Sequence, residues 1–176
     1  MLATPTSSAR REVGGAVAKA PLIVRQSVPS PFMRLAVLRR GLAAVVLLWA
    51  ASLLLAAFAA SGHAGALAYG FAATIYAIGS QVCHQRPERS FHLWAVQLPV
   101  CARCTGIYFG AAAAAFARPR PIARPLALLL ASSAPAAATL VYEWTTGAAP
   151  ANWIRALTGL LIGASVLVVI AGELNE

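Results

Sequence analysis

Apolar and polar residues fall in long blocks along this chain rather than alternating at short period. Residues 41–60 form 20 consecutive positions without a charge, about the length a helix needs to cross the hydrocarbon core of a bilayer. Further apolar blocks cover residues 64–82, 99–117, 122–142 and 153–172. The second block carries Tyr69, Thr74, Tyr76, Ser80 and Gln81, a polarity suited to a helix packed against other helices rather than lipid. Arg118-Pro119-Arg120-Pro121 ends the third block, since Pro removes a backbone donor and Arg avoids hydrocarbon. Pro135, near the middle of the fourth, predicts a kink. Residues 83–98 read as a polar loop and residues 143–152 as a Gly/Pro-containing one. The pattern predicts an all-α polytopic transmembrane bundle of about five spans, with a Cys/His loop between spans two and three.

Residues 1–35 are basic, rich in Ser, Pro and Ala and without apolar period, so they read as a disordered N-terminal tail ahead of a helical domain over 36–176. Met33 opens a second pattern: a basic start, an apolar core and Ala57-Phe58-Ala59 resemble a signal peptide. Multi-pass proteins commonly keep their first span as an anchor, and span one is read that way.

Composition supports the membrane reading. Hydrophobic residues reach 60% and charged residues only 11%, against about 45–50% and 25% in soluble domains. The net charge of +9 suggests nucleic acid until its placement is considered. The basic residues flank apolar spans, and no stripe with interleaved aromatics forms, so lipid rather than nucleic acid is the expected partner. With the N-terminus inside, 11 Arg and Lys residues lie on the cytoplasmic side and 3 on the other. That bias predicts a cytoplasmic N-terminus in the inner (plasma) membrane. Arg118, Arg120 and Arg124 on the outer side run against it.

A short motif recurs. Thr105-Gly106 with Gly110, and Thr158-Gly159 with Gly163, both read T-G-x-x-x-G. Glycines four apart share a helix face and let a second backbone approach. Either two Gly-rich apolar helices match by chance, or spans three and five pack tightly, each other being one available pairing.

The chemistry is concentrated in one loop. All 3 cysteines of the chain fall between positions 83 and 104, in the pattern C-H-x16-C-x2-C. Cys101 and Cys104 share a face at the start of span three, and a helical hairpin brings Cys83 and His84 to the same end. Cys83, His84, Cys101 and Cys104 thus form a candidate tetrahedral set for zinc or another thiophilic metal. Arg103 and the start of a helix would also activate a thiol, so a redox pair at Cys101 and Cys104 stays open. A c-type haem is disfavoured because Thr105, not His, follows the C-x-x-C. His92 is an alternative ligand or an interfacial polar residue. Glu143 is the sole acid between Glu88 and Glu173, and Arg155 is its natural partner. Arg103, Glu143 and Arg155 are the residues expected around the ligands.

The stretches Cys83-His84-Gln85-Arg86-Pro87-Glu88-Arg89-Ser90-Phe91 and Gln97-Leu98-Pro99-Val100-Cys101-Ala102-Arg103-Cys104-Thr105-Gly106-Ile107-Tyr108-Phe109-Gly110 resemble the signature of a family of small prokaryotic membrane proteins catalogued as domain of unknown function 2085. Asn152, Arg155, Thr158 and Gly159 are similar to its later pattern. The resemblance implies a multi-pass membrane protein and no established activity. Similar sequences carry an Asp-type acid after span four, where this chain has Glu143.

Two functions of different classes remain. The first is a membrane protein with a Cys/His metal site, zinc first among candidates, that staples the hairpin. The second is a membrane thiol–disulfide oxidoreductase using the C-x-x-C pair. A transporter-like subunit lined by the polar second span has little support, because no run of intramembrane charges occurs. A protein partner or a homo-oligomer is compatible with either.

Overall fold

The five apolar blocks each hold a helix in the computed structural model, which describes residues 31–63, 65–117 and 120–174. Helix α1 covers Pro31–Phe58 and continues into a π-helical turn, Ala59–His63. Helix α2 is Ala66–Val82, α3 is Ala102–Ala114, α4 is Pro125–Thr146 and α5 is Asn152–Glu173. The tail expected over residues 1–35 overlaps α1 by its last positions, because Arg34 lies in a stretch with Leu and Ala that favours helix. Residues 1–30 lie outside the described residues, as do Arg118 and Pro119 of the expected stop signal.

Among the described residues, three helical stretches are long and apolar enough to cross a membrane: Met33–Gly62, Pro125–Thr146 and Asn152–Glu173. Helix α2 is apolar but has 17 residues. Helix α3 has 13 and rises only about 20 Å, short of the roughly 30 Å hydrocarbon core. The shortfall has a local cause. Pro99 and Val100 form a bend and Cys101 is extended, while Ala115 to Ala117 are already turn and bend.

Helices α3 and α5 meet through glycine. A Cβ on Gly106 would lie 2.0 Å from the Ala156 carbonyl oxygen, and one on Gly110 would lie 2.2 Å from that of Leu160. From the other side, a Cβ on Gly159 would lie 2.2 Å from the Arg103 carbonyl oxygen and one on Gly163 1.8 Å from that of Ile107. Both glycine pairs are thus turned to the same seam, where the two backbones touch without intervening side chains. Such close approach supplies dispersion contacts and suits helix association in lipid, where no hydrophobic drive exists between helices.

Helix α4 packs on α5 more lightly and is continuous through Pro135. Ser132 and Ser165 hydroxyls hydrogen-bond at 2.7 Å across that contact. Of α4, only Ala136 and Glu143 are buried. The α1–α2 end carries the compact core: Leu53, Ala56 and Ala59 pack with Ala72, Ile75, Cys83 and Val100. Large apolar side chains such as Leu48, Leu67, Leu126 and Trp144 are exposed on the outside, as a lipid-facing surface requires.

Candidate functional site

The loop between α2 and α3 is ordered by its own amide side chains. Gln85 donates from Nε2 to the Tyr76 and Pro99 carbonyls at 2.9 and 2.6 Å. Gln97 donates from Nε2 to the Gln85 carbonyl at 2.6 Å and to Ser90 Oγ at 3.2 Å. The Tyr76 hydroxyl donates to the Gln97 carbonyl. Asn152, at the start of α5, donates to the Ser90 carbonyl at 3.1 Å. Buried polar groups are thereby paired, and the loop is tied to α2 and α5.

Within the loop, a turn of 3-10 helix, Pro87–Arg89, precedes a small hairpin in which β1, His92–Leu93, pairs antiparallel with β2, Val96–Gln97. Trp94 and Ala95 form the two-residue turn with φ of 52° and 62°. Positive φ at both positions is the turn geometry that matches strand twist. Trp94 meets Phe58 of α1 edge-on, with ring centroids 5.4 Å apart.

This scaffold brings three sulfurs together. Cys83 caps the C-terminus of α2, Cys101 caps the N-terminus of α3, and Cys104 lies one turn into α3. Their Sγ atoms are all within 4.8 Å of one another. The Cys101 backbone N–H donates to Cys83 Sγ at 3.1 Å, which ties the start of α3 to the end of α2. Cys83 is buried, while Cys101 and Cys104 are half-buried, and all three are free of disulfides. Trp49 and Tyr108, in edge-on contact at 5.8 Å, pack against the same core.

His84 is not part of that cluster. Cys83 has extended backbone, φ −146° and ψ 136°, and consecutive side chains of extended chain point to opposite sides. With Cys83 turned inward, His84 is directed outward and is exposed. It lines the cavity beside the thiols instead. His92 is exposed on β1 and is also outside the cluster.

Glu143 is buried behind the site and holds two arginines. Arg155 Nη2 donates to its Oε2 at 2.7 Å, and Arg89 Nη2 lies 2.5 Å from its Oε1. Arg103 lines the cavity beside the thiols and donates from Nη2 to Thr139 Oγ1 of α4 at 2.9 Å. Gln85, Arg89, Gln97 and Asn152 stand in the stretches that carry the family resemblance, but the sequence assigned them no role. For Arg89 a signal existed: a single acid facing Arg155 on a neighbouring helix leaves room for a second cation.

A bundle of apolar helices around a tethered thiol cluster defines a helical membrane protein of the polytopic class. Within that class the sequence match is specific. Residues 83–169 match the model of the family described as predicted membrane protein DUF2085. Two archaeal proteins share shorter stretches. An uncharacterised protein of Methanocaldococcus jannaschii is 53% identical over 36 residues, which is 20% of this chain and 23% of that protein. An uncharacterised protein of Methanothermobacter thermautotrophicus is 57% identical over 30 residues, 17% of this chain and 27% of its own length. The chain thus spans about a quarter of the length of the curated relatives it matches. No solved structure matches the chain.

Proposed function

We propose that the protein is a membrane-embedded metal-binding protein in which Cys83, Cys101 and Cys104 hold one thiophilic divalent ion, zinc by its preference for sulfur. The convergence of the three sulfurs within 4.8 Å carries this reading. Tetrahedral zinc–sulfur bonds of about 2.3 Å put sulfurs about 3.8 Å apart, so a small contraction of the cluster reaches ligating distance. The N–H···S bond from Cys101 holds Cys83 Sγ in place within the cluster. Three protein ligands leave a fourth coordination position. His84 reaches it by rotation from the cavity wall, or a water or ligand from the cavity takes it. The ion staples α2 to α3 at a boundary of the bilayer.

The charge bias supports an inner-membrane location with the N-terminus and this loop on the cytoplasmic side. A reducing compartment favours metal over a stable disulfide. The second reading is a thiol–disulfide oxidoreductase using Cys101 and Cys104, favoured by their half-exposure on the cavity wall. Metal analysis of the purified protein with thiol counting separates the two. About one equivalent of zinc per chain, lost on Cys101→Ser, is expected. Metal-free protein with a native fold and reactive thiols would overturn the metal reading and promote the redox one.

A further inference from the structure

A cavity of about 350 Å³ opens beside the three thiols. Arg86, Arg89, Arg103 and Arg155 contribute to its lining together with His84 and the cysteines. Arg155 is only 4% exposed. One of its nitrogens serves Glu143, yet its Nε–H has no acceptor. The Nε–H of Arg103 lacks an acceptor as well, and that of Arg89 has only Glu88 Oε1 at 3.9 Å, beyond hydrogen-bond reach. Buried donors are paired in the great majority of cases, so three guanidinium groups with spare donors around one cavity point to a ligand rich in acceptors.

Charge leads to the same conclusion. The four guanidinium groups are opposed by Glu143 behind the wall and by Glu88, which is exposed. A divalent ion on three thiolates adds a single negative charge, so positive charge remains in excess. Unmatched charge beside an apolar bundle is costly. A planar carboxylate has two oxygens to offer, fewer than the guanidinium groups lining one cavity can use. A tetrahedral phosphate presents more, and guanidinium forks match it in a bidentate way.

We propose that this cavity binds a phosphate-bearing anion, with Arg103 and Arg155 as its inner contacts and Arg86 and Arg89 nearer the mouth. Two sources share that chemistry: free phosphate and a lipid headgroup at the membrane boundary. The proposal does not rest on the thiols holding a metal.

The test is calorimetric titration of the full-length protein in neutral detergent at low salt, after lipid removal, with zinc content measured on the same sample. One arm uses inorganic phosphate. The other uses a short-chain phosphatidylglycerol below its micellar concentration. Saturable binding of inorganic phosphate identifies a free anion as ligand, and binding of the lipid alone identifies a headgroup. Arg103→Gln, whose only cross-helix bond is to a neutral threonine, should weaken binding roughly tenfold or more, the loss of one charge-assisted hydrogen bond, at unchanged zinc content. Arg86→Gln, at an exposed position, gives the same test should Arg103→Gln misfold. Arg124→Gln, outside the cavity lining, should bind as wild type. Absence of binding in both arms, or binding indifferent to both Arg103→Gln and Arg86→Gln, would overturn the proposal.

Discussion

Gly163 of α5 lies against Ile107 of α3 so closely that a Cβ on the glycine would stand 1.8 Å from the isoleucine carbonyl oxygen. The obstacle is backbone, which cannot rotate aside as a side chain does. Gly163→Ala is therefore expected to force α3 and α5 apart and to cost about 2 kcal/mol or more, in the range of overpacked cores. Gly70→Ala meets nothing within 4 Å and should be neutral or slightly stabilising. Folded protein retained in detergent on heating is the measurement. Equal tolerance of both changes would mean the seam is looser than this.

Arg155 and Glu143 form a buried pair at 2.7 Å. Glu143→Ala leaves Arg155 buried and Arg89 without its partner, so a loss of about 3–5 kcal/mol is expected. Combining it with Arg155→Met should cost less than the two single changes added together, because the buried Arg155 charge no longer stands without a partner and only the half-exposed Arg89 is left. A thermal-melt double-mutant cycle checks this, and simple additivity would count against the pair.

His84 is exposed and outside the sulfur cluster. His84→Ala should thus leave zinc bound and lower its affinity far less than Cys101→Ser does. Competition with a zinc chelator measures the difference. Equal loss in the two variants would make His84 a full ligand.

Ala95 sits at φ 62° in the hairpin turn, a region where a Cβ is strained. Ala95→Gly should stabilise the protein by about 0.5–1 kcal/mol despite the greater freedom of glycine when unfolded. A fall in melting temperature would show that the turn is under no strain.

The Arg and Lys distribution predicts the cysteine loop on the cytoplasmic side. A membrane-impermeant thiol reagent should fail to label Cys83, Cys101 or Cys104 in intact cells and should label Cys101 or Cys104 after permeabilisation. Prompt labelling without permeabilisation would place the loop outside.

The helices were legible because the length of an apolar run is a property of the chain alone, and so was the concentration of cysteines at one hairpin. The direction of the Gly106 and Gly159 faces was half legible: glycines four apart show that something approaches, and T-G-x-x-x-G in two spans suggests what. The short span of α3 was not, because its ends are set by where loop hydrogen bonds to Pro99 compete with helix. The hairpin at His92–Gln97 escaped notice for a related reason: its turn is Trp94-Ala95, without the Gly or Asn that mark positive φ.

Sequence by itself determined the membrane class, the order of the helices and the identity of the sulfur atoms available for chemistry. Tertiary structure decided which side chains share a space. The backbone direction at Cys83 turned His84 out of the cluster. Packing of α4 and of the Cys loop against α5 brought Arg89 to Glu143, distant in sequence, and gathered four arginines around the thiols. Such pairings depend on helix rotation and loop path, which are fixed by contacts among all the helices at once, so no local pattern of residues encodes them.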